Sequence, residues 1–375
     1  MKKNFIRIFL FLILFAALSQ QLYTLYFVFL QDNFVDFTVY FNAAVTALAH
    51  GNVYSIQKTV VQAIPFNYPP TSLLFFLVFT LFPKTITAFV FLVSSIASLL
   101  VTVWLLTGML FTKTRRLTAF LFLSSCFIQY FPTKFTLTLG QINLVILLLL
   151  TASFYFFRKN KDILSGFLLG IATLIKIFPC FLILFFIREK KWKTIVSFIF
   201  TILIGLGLTL LLFTPALVSS YFGATSGNLF LHAGEVSYFD QSFNSFLLRL
   251  HFSSDIRLLL RVILTGISLL VFLKTKSKTL SYFGLIFSIL IFLPSFAWFH
   301  HYVILIPLLI VLWTKTTHGR EKIFLVLIYL VTSFHVRTPE AFPSSPIWLF
   351  SHPFIGAFLL WLFAIKKTLS SGKLK

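Results

Sequence analysis

Short basic clusters set between long apolar runs constrain this chain more than any other feature. Seven clusters, at 2–7, 113–116, 158–161, 188–193, 274–278, 315–322 and 366–375, hold 23 of its 31 lysines and arginines. Runs of this kind belong in a bilayer, where only helices and closed barrels satisfy the backbone. The chain is 59 % hydrophobic over 375 residues, well above a soluble domain, so the class is an all-α polytopic membrane protein. Its 52 phenylalanines suit helices that face lipid and pack without much polar glue. A net charge of +22 in a soluble protein would point to nucleic acid. Confined to the ends of apolar runs, the same charge follows the positive-inside pattern, so the partner is the lipid bilayer and not nucleic acid.

The clusters also set a topology. If all are cytoplasmic, an even number of crossings separates each neighbouring pair. The first span is 8–30, an uncleaved helix with a cytoplasmic N-terminus. Residues 86–110 cross once. The apolar piece between them, 71–82, falls short of the roughly 20 residues a span needs. It therefore reads as a helix on the outer surface, started by Pro69 and Pro70 in a position where proline is tolerated. Residues 163–187 hold too few residues to cross twice at full length. Pro179 breaks them, giving two half-helices that meet near Lys176. The expected organisation is one integral membrane domain over 1–375: first span 8–30, outer loop 31–85, core spans 86–213, outer loop 214–255 and C-terminal spans 256–365. The count is about twelve crossings, with both termini in the cytoplasm of an inner (plasma) membrane.

The loop 31–85 is where chemistry is expected. The chain has nine acidic residues, and Asp32 and Asp36 lie here within five positions. A carboxylate beside a bilayer is costly and is usually kept for work. Asp36 is the candidate catalytic group; its alternative is a cap at the start of a helix over 37–44. Asp32 reads as a solvated loop acid. Gln141 and Asn143, after Gly140, either hydrogen-bond a sugar or cap a helix. Lys176 either snorkels or holds an anion, and a broken helix there leaves backbone groups for a phosphate. His300 and His301 either form an interfacial belt with Trp298 or donate to a phosphate oxygen. As neighbours on a helix they point to different faces, which argues against a shared metal. Arg257 and Arg261, four apart on one helix face, could bind phosphate or any lipid headgroup. Cys126 and Cys180 carry no disulfide or metal motif and read as buried inert thiols. No metal site, cofactor or nucleotide-binding loop is expected.

Several landmarks occur in a fixed order: Asp36 with Tyr40; Gly51-Asn52-Val53-Tyr54; Phe66-Asn67-Tyr68-Pro69-Pro70; and Gly140-Gln141-Ile142-Asn143. They continue with Gly166-x-x-x-Gly170-x-Ala172 leading to Lys176-x-x-Pro179, then Gln241-Ser242-Phe243-Asn244-Ser245, then His300-His301. Together they resemble the polytopic mannosyltransferases of glycosyltransferase family 87, over about residues 30–310. The resemblance implies a GT-C-like helical bundle. It implies transfer of a sugar, mannose, from a polyprenyl-phosphate donor to a glycan or glycolipid acceptor at the outer face, with inversion. It casts Asp36 as the base. Lys176 and His300 or His301 then hold the donor phosphate, with Arg257 and Arg261 as further candidates. Tyr40, Tyr68, Gln141, Asn143 and Asn244 become candidate substrate contacts.

Three rival classes make different demands. A transporter or lipid-linked-sugar flippase usually shows mid-span charges and two similar halves, and neither is visible. A membrane acyltransferase typically wants a histidine with a nearby acid, and His300 lacks one in sequence. A purely structural membrane protein has no use for an acidic outer loop.

Overall fold

The structure is a computed structural model and describes residues 2–31, 34–54, 66–225, 237–336 and 347–370. Asp32 and Glu235, in the expected outer loops 31–85 and 214–255, lie outside the described residues. The described residues are helical, apart from loops and isolated bridge positions such as Asp240 with Trp298. Contacts divide the chain into two compact units, where the sequence reading has one domain. The first takes Met1–Gln129 and Lys134–Gly227, the second Tyr130–Thr133 and Asn228–Lys375.

In the first unit, α1 (Lys2–Leu30) leads into α2 (Val35–Leu48). A short apolar segment, Pro70–Leu81, follows. It is not one regular helix: a single α-turn, α3 (Leu73–Phe76), is flanked by 3-10 turns at Pro70–Ser72 and Leu77–Leu81. Next come α4 (Lys84–Leu110), α5 (Lys113–Ile128), α6 (Phe131–Leu139) and α7 (Asn143–Arg158). The chain bends by 119° from α6 to α7 across Gly140-Gln141-Ile142.

α8 (Asp162–Ile175) then stops short, and Lys176 adopts an extended conformation. The chain resumes as a 3-10 turn at Phe178–Leu182 and α9 (Ile183–Arg188). The break falls where Pro179 removes a backbone donor. α10 (Trp192–Leu212) and α11 (Pro215–Thr225) close the unit, so the expected loop 214–255 begins with a helix. Small residues seal α8 against α10. A Cβ on Gly166 would lie 2.1 Å from the Thr194 carbonyl oxygen, and one on Gly170 2.6 Å from Thr201 Cβ. This is the close approach that small residues four apart allow in membranes.

The second unit contains α12 (Phe243–Arg249), α13 (Ser254–Lys274), α14 (Lys278–Phe292), α15 (Leu305–Lys315) and α16 (Gly319–Ser333). A one-turn helix α17 (Ile347–Phe350) and the longer α18 (His352–Ser370) complete it. α14 is buried from Thr279 to Phe292.

Among the described residues five helices are long and apolar enough to cross a membrane, or six if the bent α6–α7 pair is one span. The expected count of about twelve also drew on apolar helices of only 10–17 residues, such as α8 and α14. Two acids expected on the cytoplasmic side pair with basic-cluster residues. Asp162 meets Lys191 at 3.1 Å and Glu321 meets Lys367 at 2.5 Å. Cys126 and Cys180 form no disulfide among the described residues and are part-buried, where the sequence reading has them buried.

Candidate active site

Six of the candidate residues, Asp36, Tyr40, Tyr68, Gln141, Asn143 and Lys176, lie in the first unit. The α6–α7 corner positions them. Gly140 has φ +69°, a left-handed conformation in which a side chain is strained. A Cβ there would lie 2.7 Å from Phe37 Cβ. Glycine thus lets the corner press against α2, and the next residue, Gln141, reaches the Asp36 side chain.

Asp36 sits in the first turn of α2, but it is not the cap. That position is Phe34, and no side chain caps the helix. Its carboxylate is buried and hydrogen-bonded to Gln141, while Oδ2 is buried with no hydrogen-bond partner among the described residues. Burial pushes the Asp36 pKa up to about 6; the Gln141 hydrogen bond and the Lys176 charge pull the other way. The positive end of α2 also favours a negative group here.

Tyr40 and Tyr68 close the site. Their hydroxyls hydrogen-bond each other at 2.7 Å and lie 2.8 and 3.0 Å from Gln141 Oε1, which accepts from the pair. Tyr40 stacks on Phe76 with ring centroids 4.5 Å apart, so its ring is fixed by packing. Burial raises both tyrosine pKa values, with the Asp36 charge adding to the effect, so both are neutral donors at physiological pH.

No side chain caps α7 either: the cap position is Ile142. Asn143 Oδ1 instead accepts from Lys176 Nζ at 2.6 Å. The ammonium also lies 5.1 Å from the Tyr68 ring centre. This side chain turns into the protein and does not snorkel. Two contacts escaped the sequence reading. Thr71 donates to the Leu174 carbonyl at 2.6 Å, tying the Pro70–Ser72 turn to the end of α8. Tyr54 donates to the Tyr68 carbonyl at 2.9 Å. Tyr54 stands inside a quoted motif, which was the available signal.

The other candidates lie in the second unit. Asn244 donates to the Ser295 carbonyl at 3.0 Å. Arg257 and Arg261 are both buried on α13, and Arg261 donates to the carbonyls of Phe292 and Leu293 at the end of α14. His300 is buried. His301 Nδ1 accepts from the Trp298 backbone N–H at 3.1 Å. The two imidazole centres are 4.3 Å apart, which corrects the expectation that they diverge. They stand on a 3-10 turn, Phe299–Ile304, where His301 folds back on the turn's own start. A further network, unnoticed in the sequence, surrounds Asp240. It accepts from the backbone N–H of Ser242 at 2.9 Å and of Ala297 at 3.0 Å, and from Ser245 Oγ at 2.5 Å. Among the described residues no three histidines, cysteines or acids gather as metal ligands.

The family model described as Glycosyltransferase family 87 matches residues 66–337. The chain belongs to glycosyltransferase family 87. The matched stretch includes Tyr68, Gln141, Asn143, Lys176, Asn244 and the two histidines, and begins after Asp36 and Tyr40. The chain is also similar to a polyprenol-phosphate-mannose-dependent alpha-(1-2)-phosphatidylinositol pentamannoside mannosyltransferase from Mycolicibacterium smegmatis. The two are 28 % identical over 166 residues, which is 44 % of this chain and 40 % of that protein.

Proposed function

We propose that this family 87 protein transfers mannose from a polyprenyl-phosphate carrier to a hydroxyl of a glycan or glycolipid on the outer face of the membrane. Asp36 acts as the general base. One observation carries the reading: a buried carboxylate with one oxygen held by Gln141 and the other unpartnered, in a cluster that also contains a buried-facing ammonium.

The acceptor hydroxyl gives its proton to Asp36 Oδ2 as its oxygen bonds to the anomeric carbon. The bond from that carbon to the phosphate oxygen breaks on the opposite face, so the configuration inverts. Phosphate leaves with the electron pair and needs no proton, so one carboxylate is sufficient. Lys176 offers the charge that holds the phosphate. The donor named in the relative's description, a polyprenol-phosphate mannose, agrees with this chemistry. So does a groove of about 960 Å³ along α8 and α10, lined by Phe167, Ile171, Leu174, Phe200, Ile204 and Leu208 among others. It reaches Leu174, two residues before Lys176, and suits the carrier's hydrocarbon chain.

The test incubates purified protein with radiolabelled polyprenyl-phosphate mannose and a crude membrane glycolipid pool. Label should pass into glycolipid with the native protein and not with Asp36→Asn. Movement of the donor across a sealed vesicle without transfer would favour a flippase and overturn the proposal.

A further inference from the structure

Gln141 stands among sequence candidates for sugar binding, yet its carboxamide is already fully engaged. It is buried, and Oε1 accepts from a pair of tyrosine hydroxyls that lie 2.8 and 3.0 Å away. The same amide hydrogen-bonds the Asp36 carboxylate. An ionised carboxylate only accepts, so the donor in that bond is Gln141 Nε2. Asp36 Oδ2 has no partner, so the bond falls on Oδ1.

A carboxamide can turn end for end at little steric cost, because its oxygen and nitrogen are nearly the same size. Turned over, Nε2 would donate to the tyrosine oxygens and Oε1 would face Asp36. That arrangement repels a carboxylate and accepts only from a protonated acid. The direction of the tyrosine protons therefore decides which form of Asp36 the site prefers. Tyr40 and Tyr68 have two hydroxyl protons for three contacts, 2.7 Å to each other and 2.8 and 3.0 Å to Oε1, so as a pair they direct at least one proton at Oε1.

We propose that Gln141 is a positioning residue: Tyr40 and Tyr68 lock its carboxamide so that Nε2 donates to Asp36 Oδ1 and leaves Oδ2 free for the acceptor's proton. The proposal rests on the reading of Asp36 as base. The tyrosines need not touch substrate to act. Their rings are held by packing, Tyr40 by Phe76 and Tyr68 by Phe66 and Phe76, so replacing them with phenylalanine removes the hydroxyls and keeps the packing. The titratable groups that act on Asp36 here are Lys176, Tyr40 and Tyr68. Both tyrosines are neutral, so their loss as hydroxyls changes no charge near Asp36.

The test follows the Asp36 carboxyl by infrared titration of purified protein in detergent, with Asp36→Asn as the subtraction reference. No acceptor is needed. In the native protein the Asp36 signal should titrate near 6. In Tyr40→Phe/Tyr68→Phe the amide is released, and a lost hydrogen bond to a charged group moves the midpoint up by about one to two pH units. Gln141→Leu should move it by a similar amount. Tyr68→Phe alone keeps one donor and the buried Tyr40, and should move it less; it serves if the double variant does not fold. An unmoved midpoint in a folded tyrosine variant would overturn the lock, even if its activity falls. The base reading fails separately, by normal mannosyl transfer in Asp36→Asn.

Discussion

Lys176 Nζ donates to Asn143 Oδ1 at 2.6 Å, joining the break after α8 to the first residue of α7. The bond uses one of three ammonium protons and points the rest of the charge at a site that contains Asp36. Removing the ammonium should therefore affect an anionic substrate first. Lys176→Ala is expected to weaken binding of a polyprenyl-phosphate sugar by about ten- to a hundred-fold, the loss of one charge-assisted contact. Lys176→Arg should not restore it, because a planar fork does not reproduce a compact ammonium seated against Asn143 and the Tyr68 ring. Unchanged donor binding by equilibrium measurement in the alanine variant would remove Lys176 from the phosphate site.

Gly140→Ala tests the corner that brings Gln141 to Asp36. The added methyl meets Phe37 Cβ at 2.7 Å and forces a side chain onto φ +69°. A left-handed non-glycine residue alone costs of order 1–3 kcal/mol. Thermal unfolding should show a destabilised protein, and mannosyl transfer should fall further than stability explains, because α2 must retreat from Gln141. Gly207→Ala, with no atom within 4 Å of the added Cβ, is the control. Equal effects of the two substitutions would show that the Gly140 corner has no special part.

The helical class was legible because hydrophobic runs and charge clusters are local properties of the chain. So was the break at Lys176, since Pro179 acts on the backbone within its own segment. The crossing count was less legible: α8 and α14 are apolar enough for a membrane but too short, and length is set by where neighbours end them. The roles of Gln141 and Asn143 were open in the sequence because capping and side-chain bonding use the same atoms. The cap position is Ile142, and the partners these side chains take instead, Tyr40 and Lys176, are 101 and 33 residues away. The convergence of His300 and His301 was missed because adjacent residues were assigned to an α-helix, whereas they occupy a 3-10 turn with a folded-back side chain.

The basic clusters predict sidedness that can be tested directly. In a background with Cys126 and Cys180 replaced by alanine, a cysteine at Thr114 should resist a membrane-impermeant thiol reagent in intact cells. One at Asn67, which is exposed, should react. Strong labelling at 114 would place the first basic cluster after α4 outside and invert the proposed location of the site.

The Asp36 environment predicts the pH dependence of transfer. Burial raises its pKa from an ordinary value of 3.8 to about 6, so the proposed base is ionised above that pH and protonated below it. The rate should fall about tenfold per unit as pH drops below 6 and level off above it. Donor binding adds a phosphate anion near Lys176, spending charge that otherwise favours the Asp36 carboxylate. The acid limb of kcat, which reports the complex, should therefore lie above that of kcat/KM, which reports the free protein. The same shift bears on stability. A carboxyl whose folded pKa is raised stabilises the fold at low pH, and that contribution is lost as pH rises through about 6. Asp36→Asn removes the buried charge and keeps its size. It should be at least as resistant to thermal unfolding as the native protein at pH 8, with the difference vanishing toward pH 4. Its transfer rate should nevertheless fall by about a hundred- to ten-thousand-fold, the usual loss for a general base. A stable, donor-binding and inactive Asp36→Asn protein separates catalysis from folding. An acid limb that stays in place in that variant, with near-normal turnover, would assign the proton transfer to another group.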